Sequence, residues 1–483
     1  MTSFDSLGEF ISFLRQKDEL QEISESISCE LEITEIADRV VKRGGPALLF
    51  TNIRESKVPL VTNLFGSDRR MAWALGVERL EDKVGELESL IQIPEPKSIV
   101  DKIKMLPLLM KIGNFVPKQV SSGPAREVIQ KDGFSVLDFP VMKCWPKDGG
   151  RYITFAQVVT EDPIKKKRNV GMYRIQVVDG KTCIMHWQTQ KTGRAHFGEY
   201  RGRREKRPVA VVLGGDPAEI LSAIAPMPPE VDEYLFAGFL RGRPVELMPC
   251  ETIPIDVPSN AEIVIEGHID PNEPMVTEGP FGDHTGYYSL EDNYPLFHIS
   301  AITRRKSPVY PSTIVGKPPM EDGWMGKAVE RLFLPLVRLT LPEIVDMNLP
   351  VEGIFHNLAL VSIRKKYPGH AQKVMHAIWG LGQLMFTKII VVFDEDVDVQ
   401  NPSEALWKMG NAIDPKRDFT FVTGPLDTLN FASALPDVGS KVGIDATKKW
   451  PEEGFTRPWP DEIVMTAGVK KKIDSIWSRL GLS

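Results

Sequence analysis

The chain reads as a multidomain α+β protein, and three observations predict this. Its 483 residues are more than one hydrophobic core organises. Helix-period and strand-period segments alternate through the first hundred residues and again after Met325. Between them, from Val128 to about Pro311, strand follows strand with a single interrupting helix, a pattern that suits a barrel or a sandwich. The expected domains are 1–115, 116–320 and 321–483, with a Pro-rich linker between Pro94 and Pro124.

Each element has a local reason. Leu7, Phe10, Ile11 and Leu14 recur at helical spacing behind Ser6, a capping residue. Ile33, Ile36, Ala37, Val40 and Val41 repeat that period and stop at Gly44-Gly45. Short apolar runs at 47–50 and 58–64 predict strands, and a helix follows near 69–75. Central strands are expected over 152–160, 170–178, 182–188, 209–213, 261–269 and 296–302, with a helix over 230–240. In the third region a helix near 329–341 leads to a strand at 359–363 and a helix at 372–381. The continuous apolar run 389–393 predicts a strand buried on both faces, and another helix spans 403–409.

Composition narrows the function classes. With 42% hydrophobic and 26% charged residues the chain has the balance of a globular protein, and a net charge of -6 argues against nucleic acid as the partner. The basic runs 165–168 and 201–207 read as solvated turns or phosphate contacts. Cys29, Cys144, Cys183 and Cys250 stand far apart, which predicts neither a zinc site nor a disulfide framework and points to a reducing cytoplasm. No basic-then-apolar leader opens the chain, and no uncharged apolar run is long enough to span a bilayer. The greasiest helix, 328–341, carries Glu330, Arg331 and Arg338, so at most peripheral contact with the inner face of a membrane is expected.

The segment from Glu278 to Tyr288 reads Glu-Gly-Pro-Phe-Gly-Asp-His-Thr-Gly-Tyr-Tyr. Gly279, Pro280 and Gly282 exclude a regular helix or central strand. Two readings stand side by side: a plain surface turn, or a loop that brings Glu278 and Asp283 close enough to share a proton, leaving one of them neutral and able to donate. Upstream, Asp179-Gly180 between alternating runs predicts a two-residue hairpin in which 178 faces 181, 173 faces 186 and 169 faces 190. That register puts Asn169, Tyr173, His186 and Gln190 on one face, and Arg174 with Met172 and Trp187 on the other. Asn, His and Gln with Glu233 nearby are either solvated strand ends or ligands for a hard or borderline cation. The chain has no Gly-x-Ser-x-Gly elbow, no P-loop and no dinucleotide fingerprint after a strand. Acids and an arginine orient a carboxylate and move a proton, but a carbanion needs a borrowed electron sink.

Several motifs together resemble the UbiD family of prenylated-FMN-dependent (de)carboxylases. They are the strand Asn169-x-Gly-Met-Tyr-Arg174, Met-His-Trp-Gln at 185–188, Asp232-Glu233-Tyr234 before Ala-Gly-x-Leu-Arg-Gly, the 278–288 loop, Gly316-Lys-Pro-Pro-Met-Glu-Asp, and Val442-Gly-Ile-Asp-Ala-Thr. Their order and spacing cover nearly the whole chain. The resemblance implies an N-terminal α/β part, a central split β-barrel like flavin reductases, and a C-terminal α/β oligomerisation domain. It implies prenylated FMN supplied by a UbiX-type flavin prenyltransferase, with Mn2+ or another divalent cation and K+, in a homo-oligomer of two to six copies. By the same resemblance, Arg174, Glu278 and Asp283 are the catalytic residues, and Met172, Tyr173, Arg174, His186, Trp187, Gln188, Lys191 and Thr192 hold the cofactor. Asn169 and Glu233 bind the metal, with Gln190 where many members have a His; water or His186 is the substitute third ligand.

The Asp-His-Thr-Gly-Tyr-Tyr form of the loop is similar to the quinone-pathway members. It implies a hydroxylated aromatic acid as substrate, first 4-hydroxy-3-polyprenylbenzoate in ubiquinone synthesis and second a dihydroxynaphthoate of a menaquinone route. Another aromatic or acrylic acid, a flavin-binding subunit of a larger carboxylase, and a metal-dependent decarboxylase without flavin are the competing readings.

Overall fold

The computed structural model describes residues 3–91, 113–187, 197–200, 204–228 and 231–481. Gln188, Gln190, Lys191 and Thr192 lie outside the described residues.

The first region is a helix-covered four-stranded sheet. Helix Leu7–Gln16 begins where Ser6 Oγ accepts the Glu9 N–H at 3.2 Å, and it buries Leu7, Phe10, Ile11 and Leu14 as their spacing requires. The sheet runs Leu20–Ile23, Ala47–Phe50, Leu60–Thr62, then Tyr310–Pro311, so its last strand comes from the far end of the strand-rich region. Glu321 strengthens this interlock: its buried carboxylate accepts the Phe65 N–H at 2.9 Å and the Thr313 hydroxyl at 2.8 Å. Strand Leu20–Ile23 and helix Leu80–Ile91 were not expected, because the strand is half-exposed and the helix buries little of its surface.

Among the described residues the central sheet has nine strands. Its order is Arg151–Ile153, Ile175–Val177, Thr182–Met185, Leu296–Arg304, Ala261–Ile269, Arg207–Gly214, Ala156–Glu161, Arg168–Met172, with Val128–Gln130 also against Leu296–Arg304. The two ends of that order do not pair with each other, so the sheet curls into a half-barrel and leaves a split. The chain crosses the split at Tyr173 and Arg174. What the sequence predicts as one strand over 170–178 is therefore two, one paired with Ala156–Glu161 and the other with Arg151–Ile153 and Thr182–Met185.

The hairpin register also differs from expectation. Val177 faces Cys183 and Ile175 faces Met185, and the Val178 N–H donates to Thr182 O at 2.9 Å. The turn thus holds three residues, Asp179 to Lys181. A two-residue type I′ turn needs positive φ at both central positions, and neither Asp179 nor Gly180 has it; instead Asp179 Oδ1 accepts the Lys181 N–H at 2.8 Å. A one-residue slip moves every side chain to the other face. Arg174 and His186, expected on opposite faces, come opposite each other, with the His186 N–H 3.4 Å from Arg174 O.

The third region is a five-stranded sheet in the order Ile344–Asn348, Leu358–Ile363, Ile389–Asp394, Val438–Asp445, Phe419–Pro425. Its three middle strands are parallel and its two edges antiparallel. Helices Glu321–Thr340 and His370–Trp379 bury one face and Pro402–Ala412 packs on the other, which explains the unbroken apolar run 389–393. No helix among the described residues is long and apolar enough to cross a membrane.

Candidate active site at the split of the half-barrel

Arg174 sits where the chain leaves one edge of the half-barrel for the other, and its side chain is buried. Its Nε and Nη2 each donate to Glu278 at 2.9 Å, a two-pronged grip that matches fork to carboxylate. Nη1 donates to Asp283 Oδ2, and Nη2 also reaches the Ser289 hydroxyl at 3.0 Å. The guanidinium lies 4.9 Å from the centre of the Phe281 ring. His186 Nδ1 lies 3.2 Å from Glu278 Oε2, and its ring is 4.3 Å from that of Tyr294. The structure therefore converges Arg174, Glu278, Asp283 and His186 on one spot.

The loop that delivers the acids is pinned from several sides. Asp148 accepts the Gly282 N–H and the Trp145 N–H, both at 2.8 Å. Gln176 Oε1 accepts the Gly279 N–H at 2.9 Å while its Nε2 donates to Gly149 O at 3.1 Å. Gly279, with φ +99°, needs glycine's freedom, and at Gly149 a Cβ would stand only 2.1 Å from Gly279 O. Asp148, Gln176 and Ser289 were missed at the sequence level. Gly149-Gly150 just after Asp148 was the available signal, since paired glycines mark close backbone approach.

The electrostatics correct the shared-proton reading. Arg174 stands between the two acids, so neither needs to stay neutral. Burial works to raise the Glu278 carboxyl, but His186 and Arg174 outweigh it and hold it at about 2. Burial likewise opposes ionisation of Asp283, and His284 with Arg174 overcomes it, leaving Asp283 well below the usual carboxylate range. Arg174 is held above its ordinary value despite burial, by Asp283 and Glu278. His186 is pushed down by burial and by the facing Arg174, against the pull of Glu278.

On the strand Arg168–Met172 that leads into Arg174, Asn169 is buried and its Nδ2 has no hydrogen-bond partner among the described residues. Next to it the Val170 N–H donates to Glu233 Oε2 at 3.0 Å, so Asn169 and Glu233 are neighbours. Asp232 caps the helix Glu233–Arg241 by accepting the Tyr234 N–H at 2.9 Å. Burial raises the Glu233 carboxyl to about 7. A buried acid of that kind fits a cation, which would offset the burial and could also take the Asn169 amide oxygen, while the orphaned Nδ2, a donor, fits an acceptor such as a phosphate oxygen. His186 Nε2 and Trp187 Nε1 are also buried without partners among the described residues, and both follow the hairpin strand. Three such orphaned groups, one before Arg174 and two after the hairpin, fit a polar cofactor. No cluster of three His, Cys, Asp or Glu metal ligands occurs among the described residues. Met172 is half-buried, its N–H donating to Ala223 O at 3.0 Å, and the Tyr173 ring meets Trp187 edge-on at 6.4 Å.

The chain matches the 3-octaprenyl-4-hydroxybenzoate carboxy-lyase N-terminal domain over residues 11–87, the Rift-related domain over 118–318 and the C-terminal domain over 323–446. It belongs to the UbiD family. An uncharacterized protein of Aquifex aeolicus is 50% identical over 481 residues, covering 99% of each chain. Among solved structures, this UbiD chain is similar to vanillic acid decarboxylase of Sedimentibacter hydroxybenzoicus in closed form. There the identity is 25% and the TM-score 0.88, over 99% of this chain and 100% of that one. The open form of the same enzyme gives a TM-score of 0.80, at 25% identity over 100% of each chain. The UbiD-class enzyme HmfF from Pelotomaculum thermopropionicum, in complex with FMN, is 28% identical with a TM-score of 0.80, over 96% and 98% of the two chains. An evolved dimeric form of HmfF is a complex with prFMN. The family and these neighbours are carboxy-lyases, and the multidomain α+β architecture with a central half-barrel is theirs as well.

Proposed function

We propose that this UbiD protein reversibly decarboxylates a hydroxylated aromatic carboxylic acid with prenylated FMN, and that its substrate is a 4-hydroxy-3-polyprenylbenzoate of ubiquinone synthesis. The single observation that carries the reading is the buried Arg174 gripped by Glu278 and Asp283 at the split of the half-barrel. When bound, prenylated FMN supplies the electron sink for the charge left on carbon as CO2 departs. His186, Trp187 and Met172 to Arg174, with Gln188, Lys191 and Thr192, would hold it. Asn169 and Glu233, with Gln190, would hold Mn2+ or a similar divalent cation; K+ is part of the same proposal.

The chain's own residues then have distinct tasks. Arg174 offers its Nη1 side to the substrate carboxylate, with Glu278 keeping the guanidinium in place through Nε and Nη2. The C–CO2 bond breaks, its electron pair stays on carbon, and Asp283 delivers the proton that takes the place of CO2. A ring hydroxyl donates electron density to the carbon that reacts, which is the physical reason to favour hydroxylated rings. A UbiX-type prenyltransferase would supply the cofactor. Assembly into a homo-oligomer through 321–483 is supported by apolar side chains left exposed there, among them Trp407 at 52% and Phe421 at 71%.

The test is co-expression with a flavin prenyltransferase, followed by cofactor absorbance and CO2 release on a panel of hydroxybenzoates and dihydroxynaphthoates. Asp283→Asn is expected to keep the absorbance and lose about 10²–10⁴-fold in kcat. Near-normal turnover of that variant removes Asp283 from the mechanism, and faster turnover of a naphthoate shifts the substrate to the menaquinone class.

A further inference from the structure

The donors around Asp283 favour its ionised form, yet as the proposed acid it must carry a proton once per turnover. Arg174 Nη1 occupies its Oδ2 and cannot give a proton up. The other oxygen, Oδ1, accepts two donors from the next residue: the His284 backbone N–H at 2.8 Å and the ring Nδ1 at 2.9 Å. Because a carboxylate only accepts, Nδ1 carries a hydrogen, and Nε2 is the nitrogen at which the ring gains or loses its second proton. That Nε2 is buried without a partner among the described residues.

The ring points away from the half-barrel into the seam with the third domain. Phe355 stacks on it at 5.4 Å, and the His356 ring stands edge-on at 5.7 Å with its Nε2 3.9 Å from Asp427 Oδ2. Asp322, from the first turn of helix Glu321–Thr340, also acts on it. The groups that face the imidazole are thus Asp283 from its own loop, Asp322 from the helix, and His356 and Asp427 from the third domain. Burial opposes its protonation, but the three carboxylates outweigh that and raise it above the ordinary histidine value. Burial and the nearby acids also push Asp322 up, to about 7, against the pull of His284.

We infer that His284 is the positioning residue through which Asp283 is re-protonated, drawing the proton from the seam lined by Asp322, His356 and Asp427. This rests on the reading of Asp283 as the acid. After Asp283 has given its proton to carbon, Nε2 takes one proton from the seam while Nδ1–H passes its own to Asp283 Oδ1. The ring ends neutral with its tautomer exchanged, and it resets by proton exchange with solvent. One proton from water enters for each CO2 that leaves.

The experiment uses holoenzyme, with the panel acid that turns over fastest as probe, and compares wild type, Asp283→Asn and His284→Asn. Asparagine keeps a donor near the Nδ1 position and cannot relay. His284→Asn is expected to retain KM within about twofold and lose roughly 10²-fold in kcat, the lower end of what general acid–base groups contribute. It also loses the alkaline limb of kcat against pH, and deuterium uptake into decarboxylated product in D2O slows in step. Wild-type kcat, pH limb and deuterium uptake in His284→Asn, with Asp283→Asn inactive, overturn the relay alone. Turnover by Asp283→Asn overturns the acid assignment and the relay with it. Should His284→Asn fail to hold cofactor, Asp322→Asn and Asp427→Asn decide: removing either carboxylate moves the alkaline limb to lower pH if His284 is the relay, and an unmoved limb overturns it.

Discussion

Two arginines with largely buried side chains each face two carboxylates, and the acids they face end up on opposite sides of the ordinary carboxylate range. Arg174 holds Glu278 at about 2 and keeps Asp283 lower than an ordinary carboxylate. Arg241 lies 2.7 Å from Asp216 and 2.5 Å from Glu219, yet burial, and for Glu219 also the neighbouring Asp216, keep both acids above the ordinary range. The difference lies in what else the acids touch. Asp216 and Glu219 are three residues apart on one helix and form a capping box, Asp216 Oδ1 accepting the Glu219 N–H at 2.9 Å and Glu219 Oε2 the Asp216 N–H at 3.0 Å. Their lone pairs serve the backbone, and their charges lie close together. Glu278 and Asp283 come from opposite ends of a loop, with Arg174 between them and a histidine against each. The same residue types thus make a structural clasp in one place and an anion-ready site in the other.

The sharpest way to break this contrast is to remove each arginine. Arg174→Met is expected to lose about 10²–10³-fold in kcat, the loss typical of a single transition-state donor. Arg241→Met should leave activity per folded molecule near wild type and cost about 3–5 kcal/mol in urea unfolding, because it leaves buried acids without their cation. Equal loss of activity in both would mean that the second cluster is not merely structural.

A smaller effect is expected from moving the loop without touching its acids. Gly149→Ala places a Cβ against Gly279 O, and shifting the loop by about 1 Å should reduce kcat by up to about 10²-fold. Circular dichroism and the unfolding midpoint check that the fold itself is retained.

The smallest effect concerns pH. For the lowered acids Glu278 and Asp283, the stability contribution is present above ordinary carboxylate values and is lost as pH falls through their folded values. For the raised pair Asp216 and Glu219 the sign reverses: their contribution is present below the unfolded carboxylate value and declines as pH rises toward the folded one, about 8 for Glu219. Glu219→Gln is therefore expected to flatten the decline in unfolding free energy between about pH 5 and pH 8. A decline of unchanged slope would place the titration elsewhere.

Local pattern alone determined much of this protein. Helix Leu7–Gln16 follows from Ser6 and a period of 3.6, and the strand Ile389–Asp394 from an apolar run that only a doubly covered sheet can bury. The acids of the 278–288 loop were legible because Gly and Pro at those positions exclude regular structure. What the tertiary structure decided was everything that depends on register and on partners distant in sequence. The turn at Asp179 to Lys181 holds one residue more than its Asp-Gly signal implies, and with a side-chain period of two that single residue moved His186 to the Arg174 side. Arg174 itself came to stand between Glu278 and Asp283 across more than a hundred residues of chain, which ended the shared-proton reading. His284 gained its meaning only from Asp322, His356 and Asp427, groups that no local spacing connects to it. Short-range sterics and periodicity are written along the chain, whereas the state of a buried charge is set by whatever the fold brings within a few ångströms of it.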